Sequence, residues 1–376
     1  MPTGIANLPL HHGKAPKWLF VRMVKLAGTI TEVILDEYGL DEFLRRISNP
    51  FWFQSFGCVL GFDWHSSGLT TTVCGALKEA QKEKENGLFI LGGKGRVSRE
   101  ISEKLNTMNL NTQKIEGLKK VSRLSAKVDN AVLQDGYRIY HHVLFFTEKG
   151  KWAVVQQGMN ENWARRYHWL DENIKTDFVN EPHAAICSEL KAAEGGVLNL
   201  TARECEETRK TSVDLVKDNP IHLKSFFKGN RQMSLDEFLS ITDLKRPEVL
   251  NLPAHHHISE IDLTERDFKV LKEVYEFQPE NYQELISFKG MGPKRIRALA
   301  LVSNIIHGTS LSWRDPAKYS FAHGGKDGIP YPVDRETYDH TIEMLRETIY
   351  KARLEEKEKK MAWKRFSRLV EIGERF

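Results

Sequence analysis

Apolar and polar positions follow one another along the chain in patterns that predict both helices and strands. Apolar residues recur at helical spacing over 18–27, 30–38 and 40–47, and Gly39 ends the second of these runs. Residues 114–132, 184–193 and 201–217 are also predicted to be helical. Residues 137–157 instead predict a β-hairpin that turns at 148–150. The first half of the chain should therefore be mainly helical with a small antiparallel sheet.

Further helices are predicted in the last third of the chain. One covers 264–277, with Thr264 as its cap and Asp267 at the capping-box position. A short helix over 281–287 is followed by a longer one that starts at Pro293, where the missing N–H of proline costs nothing. A Gly- and Pro-rich loop at 310–339 separates these from a long helix and a basic amphipathic tail helix.

The turn at 289–292 is the clearest candidate binding site in the sequence. Glycine adopts the positive φ that a tight turn needs, and its bare backbone lets N–H groups approach a phosphate oxygen. The start of the next helix adds free N–H groups and the positive end of a dipole. The predicted DNA-binding residues are Gly290, Gly292, Lys294, Arg295 and Arg297. The alternative is an ordinary helical hairpin whose glycines act as caps.

Two helices joined by such a turn form a helix-hairpin-helix, a module that grips nucleic-acid backbones. The predicted fold class is therefore α+β, with a mainly helical N-terminal domain that contains a small antiparallel sheet and an all-α helix-hairpin-helix C-terminal domain. We place the first domain at 1–218, a linker or loop region at 219–258, and the helix-hairpin-helix domain at 259–376.

Composition limits the classes of function. Net charge is only +4, so binding to nucleic acid must depend on local basic patches. The four cysteines form no C-x-x-C pair, which is typical of reduced intracellular thiols. No apolar run reaches the roughly 18 residues of a membrane span. We expect a cytoplasmic protein whose partner is nucleic acid, with DNA favoured and no membrane involved; protein partners are not indicated.

A second candidate site is a glycine-rich stretch after the apolar run 88–91. Gly92, Gly93, Lys94 and Gly95 are predicted to form a loop before a helix, which would suit a phosphate. The stretch lacks the G-x-x-x-x-G-K-[ST] spacing of a nucleotide-binding P-loop, so we predict no ATP site, and no NAD site either. The alternative is a flexible strand-to-helix turn.

Several loops carry residues that could take part in catalysis. Ser66 or Ser67 could be a simple cap of the helix that follows, which is the favoured interpretation, and Asp63 beside His65 could instead be an oriented acid/base pair. His11 and His12 lie in a polar N-terminal loop. A mixed group after the predicted hairpin suits a base-stacking surface or an ordinary amphipathic surface equally well: Gln156, Gln157, Arg165, Arg166, Tyr167, His168 and Trp169.

Four segments together resemble an uncharacterised, mainly archaeal and thermophilic family, domain-of-unknown-function family 763. They are LPLHHGKAPKW, NPFWFQSFGCVLGFDWHSSG, KGMGPKRIRALAL and FAHGGKDGIPYPVDR. The resemblance spans most of the chain, and the family brings no settled activity.

Residues 282–339 also resemble the helix-hairpin-helix domain of base-excision DNA glycosylases. The resemblance places Lys294 at the position of the Schiff-base lysine and Asp334 at that of the catalytic aspartate. The 40-residue separation of these two is longer than in that superfamily, and Arg335 follows the aspartate where a threonine is usual. Non-catalytic modules also carry such a lysine and use it on phosphate.

Three hypotheses follow. The first is a DNA-processing or repair enzyme, either a glycosylase/AP lyase or a nuclease, and a nuclease would need a divalent metal such as Mg²⁺ or a histidine base. The second is a non-enzymatic, structure-specific DNA-binding protein. The third is a small-molecule enzyme whose helical hairpin is incidental. The sequence identifies neither a metal-ligand set nor any certain cofactor.

Overall fold

A computed structural model describes residues 17–62, 68–160, 163–174, 177–188, 196–218, 263–317, 335–352 and 355–374. The fold is α+β and mostly helical, with a small antiparallel sheet, as the sequence predicts. Within these ranges no helix is both long enough and apolar enough to cross a membrane.

Three helices come first: α1 covers Lys17–Ser48, α2 covers Pro50–Leu60 and α3 covers Gly68–Gln81. The helical φ/ψ pattern of α1 is interrupted at Gly39, whose φ of 84° is left-handed, so the predicted break between two helical runs is confirmed. α2 follows Asn49, whose side chain accepts hydrogen bonds from the N–H groups of Phe51 and Trp52.

The strands are β1 Leu88–Lys94, β2 Leu133–Gln134, β3 Arg138–Thr147, β4 Trp152–Met159, β5 Ala164–Leu170, β6 His183–Ser188 and β7 Leu198–Asn199. Five of them form an antiparallel sheet in the order β1-β3-β4-β5-β6, and β2 pairs with β7. The β3–β4 pair confirms the predicted hairpin. The helix predicted over 184–193 is wrong for 184–188, which belong to β6. Pairing with β5 outweighs the local pattern there, because a short apolar run does not distinguish helix from strand.

Shorter helices connect these strands. They are α4 Arg96–Arg99, α5 Ile101–Asn106 and α6 Thr112–Lys127, and α6 continues into a π-helical turn at Val128–Val132. α7 covers Glu206–Lys217 after a 3-10 turn at Arg203–Cys205. The helical predictions for 114–132 and for most of 201–217 are therefore confirmed.

The C-terminal helices are α8 Glu265–Phe277, α9 Tyr282–Ser287, α10 Pro293–His307, α11 Arg335–Lys351 and α12 Glu356–Glu374. The predicted capping box of α8 is present: Thr264 accepts from the backbone N–H of Asp267, and the Asp267 carboxylate accepts from the backbone N–H of Thr264. The three-part division of the chain into domains stays a prediction.

The two faces of the large sheet belong to two separate apolar cores. On one face, Val143 and Phe145 pack in a core formed with α1, α2 and α3 and with parts of α11 and α12. On the other face, Leu144 and Phe146 pack in a core formed with α6, α7, α8, α9 and α10. Because both faces are covered, a polar side chain in a central strand lies in the protein interior.

Candidate functional site

The turn between α9 and α10 is held by one buried residue and closed by a backbone hydrogen bond. Met291 is completely buried, and its N–H donates to the carbonyl of Phe288 at 3.1 Å. Lys289 and Gly290 are the two central residues of the turn that this bond closes, and both are exposed. Gly290 has a left-handed φ of 98°, and a Cβ added there would lie 3.0 Å from Cγ1 of Val270 in α8. Glycine is therefore required at 290 both by the conformation and by the close approach of α8.

Gly292 has a different task from the one the sequence suggested. Its φ of −103° is open to any residue, so the expected need for positive φ is wrong at this position. Gly292 is instead the N-cap of α10, where its carbonyl accepts from the N–H of Ile296 at 3.1 Å and no side chain caps the helix. The N–H groups in the first turn of a helix have no intrahelical partner, so this end of α10 can donate to an external acceptor.

The predicted cations of α10 differ in how far they are free to meet a ligand. The Lys294 side chain is 43% exposed, and its ammonium lies 3.4 Å from the Asp267 carboxylate. Arg295 is more buried, lies 2.7 Å from the other Asp267 oxygen, and also donates to the carbonyl of Gly290. Arg297 is partly buried on the same helix.

Asp267 is thus the counter-ion of the turn. Its partial burial acts to raise the pKa of the carboxyl group, but hydrogen bonds from Thr264 and the charges of Arg295 and Lys294 outweigh burial and hold the pKa below its usual range. The carboxylate that caps α8 therefore also fixes the side chains at the start of α10.

Two side chains from outside α9 and α10 hold the turn in place. The ammonium of Lys127, at the end of α6, donates to the carbonyl of Met291 at 2.9 Å. The amide of Gln134 in β2 donates to the carbonyl of Pro293 at 2.9 Å. Burial, and then the positive charges of Arg123 and Arg295, lower the pKa of Lys127.

The sequence did not indicate that α6 belongs to this site. Lys120 and Arg123 are exposed on α6, and Lys127 follows at the spacing of one helical turn. That basic stripe was visible in the sequence, but nothing local connected it with a turn more than 150 residues away.

The predicted glycine loop is largely a strand. Gly92, Gly93 and Lys94 belong to β1 and pair with Val143, His142 and His141 of β3, so the expected end of the strand at 91 is wrong. A Cβ at Gly92 would lie 2.2 Å from the carbonyl oxygen of His142. Gly92 therefore allows a close approach of two strands, and only Gly95 remains between β1 and α4. Binding of phosphate by these residues stays a prediction.

The remaining candidate catalytic residues are not placed by the structure. Asp63, His65, His11, His12 and Asp334 lie outside the described residues, so none of them can be related to Lys294. Within the described part of the chain, no group of three or more His, Cys, Asp or Glu side chains could hold a metal ion.

Arg165 and Arg166 are not on the surface, and both surface interpretations of their segment are wrong. β5 is covered on both faces, and the two arginine side chains are completely buried. Arg165 pairs with Asp135 at 2.9 Å and with Asp315 at 2.7 Å. Arg166 lies on the other face and donates to Gln54 of α2 at 3.0 Å, among other partners.

Arg166 belongs to a row of polar residues that crosses the whole sheet on the α1–α3 face. Residues directly opposite one another in paired strands share a face. The strand registers place one residue from each strand in this row, in the order Lys94, His141, Gln157, Arg166 and Cys187. We refer to these five residues as the polar row. Its members come from five separate strands, so no local pattern in the sequence predicted it.

The opposite face carries a hydrogen-bonded network centred on Asp129 in the π-helical turn. Asp129 accepts from Trp169 and Gln156, and His183 lies 2.5 Å from its other oxygen. Since the Gln156 amide donates to Asp129, its oxygen must accept from Nδ1–H of His142 at 2.9 Å. Nε2 of His142 then accepts from the hydroxyl of Ser122 at 2.9 Å. Each bond fixes the direction of the next, so this network orients β3, β4, β5 and α6.

Together, the fold and these sites define an α+β protein with a polar row inside its sheet and a basic helical turn on its surface. A family model described as "Protein of unknown function (DUF763)" matches residues 4–333, and the chain belongs to this family. The match includes the turn, the polar row and the segments with His11, His12, Asp63 and His65, and it ends one residue before Asp334. No curated protein and no solved structure matches the chain significantly.

Proposed function

We propose that this protein binds the sugar-phosphate backbone of DNA through the turn between α9 and α10, as a helix-hairpin-helix does. One observation carries the proposal: an exposed glycine turn leads into a helix whose first N–H groups are uncapped, and Lys127, Lys294 and Arg295 surround it. A phosphate oxygen is the natural acceptor for such a combination of N–H groups and cations.

The proposed contacts read no bases. Backbone N–H groups and cations bind phosphates whatever the sequence, so binding should respond strongly to salt and weakly to base composition. The exposed stripe of Lys120 and Arg123 runs along α6 away from the turn, and it can meet further phosphates of the same strand. About three neutralised phosphates would give a slope of log K against log salt near −3.

The pairing of Lys294 favours a role in phosphate binding over nucleophilic catalysis. Nucleophilic attack needs an amine that is free to reach the substrate, whereas the Lys294 side chain is paired with the Asp267 carboxylate at 3.4 Å. DNA processing by this protein stays a prediction. Borohydride trapping on abasic DNA tests the lyase version, and incubation with branched and single-stranded DNA, with and without Mg²⁺, tests the nuclease version.

The binding proposal is tested with the full chain and a fluorescent 20-base-pair duplex, by anisotropy between 50 and 300 mM NaCl. Gly292→Ala is the sharpest variant, because the added Cβ meets only the Gly290 carbonyl, at 3.8 Å, and requires no unusual φ. We expect Gly292→Ala and Lys294→Ala each to weaken binding at least fivefold.

Lys82→Ala is the matched control, since it removes one exposed positive charge just beyond the end of α3. It should leave the affinity within a factor of two. Absence of salt-dependent binding by the natural protein would contradict the proposal, as would equal losses in Lys82→Ala and Lys294→Ala.

A further inference from the structure

His141 and His142 are neighbours in β3 with opposite surroundings. His142 faces α6, and both of its ring nitrogens are hydrogen-bonded, to Ser122 and to Gln156. His141 faces α1–α3 in the polar row and is only 2% exposed. Neither Nδ1 nor Nε2 of His141 has a hydrogen-bond partner in the described part of the chain. Buried polar atoms are rarely left in this state, and each one calls for a physical explanation such as a bound ion or a catalytic role.

The strand registers place two hydrogen-bonding side chains directly beside His141. Lys94 of β1 lies opposite it on one side and Gln157 of β4 on the other. The Gln157 amide donates to the hydroxyl of Tyr140, and the ammonium of Lys94 lies 5.5 Å from the centre of the Tyr140 ring. Lys94 is exposed, so the end of the polar row at β1 is open to solvent.

A second cation reaches the same region from α3. The ammonium of Lys78 donates to the carbonyl of Gly92 at 2.6 Å, two residues before Lys94 on the same strand. Burial first, and then the electrostatic influence of His142, Lys94 and Lys78, lower the pKa of His141 to about 3. At neutral pH the ring is therefore uncharged, with one N–H donor and one acceptor nitrogen.

Together these groups have the chemistry of an anion site. Within the described residues, the buried N–H donor of His141 has no acceptor. Lys94 lies on the neighbouring strand opposite His141, and the Lys78 ammonium contacts that same strand at Gly92. A phosphate group carries up to two negative charges and several acceptor oxygens, so it can accept from the imidazole N–H and from both ammonium groups. A carboxylate carries a single negative charge and matches two ammonium groups less well.

We propose that Lys94, Lys78 and His141 bind a phosphate group at the β1 end of the polar row. The site lies on the opposite face of the sheet from the turn between α9 and α10, so it goes beyond the DNA-binding proposal and does not depend on it. The group can belong to free phosphate or to a phosphate monoester such as a nucleotide. The chemistry of recognition is the same in both cases.

Isothermal titration of the full chain with inorganic phosphate, thymidine 5′-monophosphate and thymidine tests the site. We expect saturable binding of phosphate and none of thymidine. A monophosphate that binds at least tenfold more tightly than phosphate would identify a nucleotide as the source, and equal affinities would identify free phosphate.

Three variants make the test specific. Lys94→Ala and His141→Leu should each weaken phosphate binding at least tenfold, and circular dichroism and thermal melting verify that they fold. Lys149→Ala removes an exposed charge at the other end of β3 and should bind as the natural protein does.

A second measurement does not depend on affinity: the ring-nitrogen resonances of His141 should shift when phosphate is added, and those of His142 should not. The proposal is overturned if the natural protein shows no saturable binding of phosphate. It is equally overturned if Lys94→Ala and His141→Leu both bind phosphate as tightly as Lys149→Ala.

Discussion

Lys127 and Met291 are 164 positions apart in the chain and are joined by a hydrogen bond of 2.9 Å from the lysine ammonium to the methionine carbonyl. The bond ties the end of α6 to the exposed turn between α9 and α10. It also brings a partly buried cation beneath the turn, where the charges of Arg123 and Arg295 oppose it. A protein that needed the turn only as a connection would gain little from three cations at this place.

Replacement of Lys127 separates its structural role in holding the turn from its proposed role in binding phosphate. Lys127→Met keeps most of the aliphatic stem but leaves the Met291 carbonyl without its donor, which should cost about 1 kcal/mol of unfolding free energy. The free energy comes from urea denaturation, and the DNA affinity from anisotropy.

If the cation also meets phosphate, DNA affinity should fall at least threefold in Lys127→Met and the salt slope should decrease by about 1. A loss of stability with unchanged DNA affinity would restrict Lys127 to a structural role. Lys82→Ala again serves as the control for the loss of one charge.

Asp267 should oppose the binding of DNA. Its carboxylate lies 2.7 Å from Arg295 and 3.4 Å from Lys294, so it competes with an incoming phosphate for both cations. Asp267→Asn keeps an oxygen that can cap α8 and removes the negative charge. We expect DNA affinity to rise several-fold in anisotropy measurements, while unfolding free energy falls by about 1 kcal/mol because the capping box and ion pairs are weakened.

The same variant distinguishes two modes of action. If Asp267 chiefly positions Arg295 and Lys294 for the ligand, Asp267→Asn should bind DNA more weakly than the natural protein. That outcome would contradict simple competition. Glu284→Gln, which removes a carboxylate from α9, provides the comparison.

The two glycines of the turn should respond differently to alanine. Gly290→Ala must place a Cβ at a φ of 98° and 3.0 Å from Val270, so we expect a loss of roughly 1–2 kcal/mol in unfolding free energy. Gly292→Ala has an ordinary φ and open space, and its stability should change by less than about 0.5 kcal/mol. Both variants are measured by thermal and urea denaturation. If Gly290→Ala and Gly292→Ala lost the same amount of unfolding free energy, the turn would not be held as described.

These two glycines show which features of the turn could be predicted from the sequence. The spacing of Gly290, Gly292 and Pro293 correctly predicted a turn followed by a helix, because turn and cap signals are local. The break at Gly39 and the capping box of Thr264 were predictable for the same reason. The conformation of Gly292 was not predictable. Sequence alone does not distinguish a glycine that is needed for a positive φ from a glycine that leaves the start of a helix without a side-chain cap.

The rest of the candidate sites depends on contacts between distant segments. A shift of one residue in strand pairing would move His141 to the opposite face, and the register is set by the completed sheet. Residues 184–188 were misassigned because pairing with β5 decides their conformation. The burial of Arg165 and Arg166 likewise follows from the helices that cover both faces of β5, and no pattern within the strand shows them.

His141 should make the protein sensitive to acid. Its pKa is lowered from 6.5 to about 3, first by burial and then by neighbouring positive charges, so the unfolded chain binds a proton between these values and the folded protein does not. The free energy of unfolding should therefore fall as pH decreases from 6.5 toward 3. A pKa difference of this size corresponds to a few kcal/mol at its limit, at about 1.4 kcal/mol per pKa unit.

His142 and His168 are buried with lowered pKa values and contribute in the same direction, so the effect of His141 must be taken as a difference between variants. Urea denaturation of the natural protein and of His141→Leu at pH 4.5, 5.5 and 7 isolates the contribution of His141 to the pH dependence. The slope of unfolding free energy against pH should be smaller in His141→Leu, by an amount that corresponds to the uptake of at most one proton. Near neutral pH the variant should be at least as stable as the natural protein, because no hydrogen bond from His141 within the described residues is lost. His307→Leu, at an exposed position in α10, is the control. Parallel pH profiles for the natural protein and His141→Leu would mean that His141 takes up its proton equally in the folded and unfolded states, which would contradict the lowered pKa of His141.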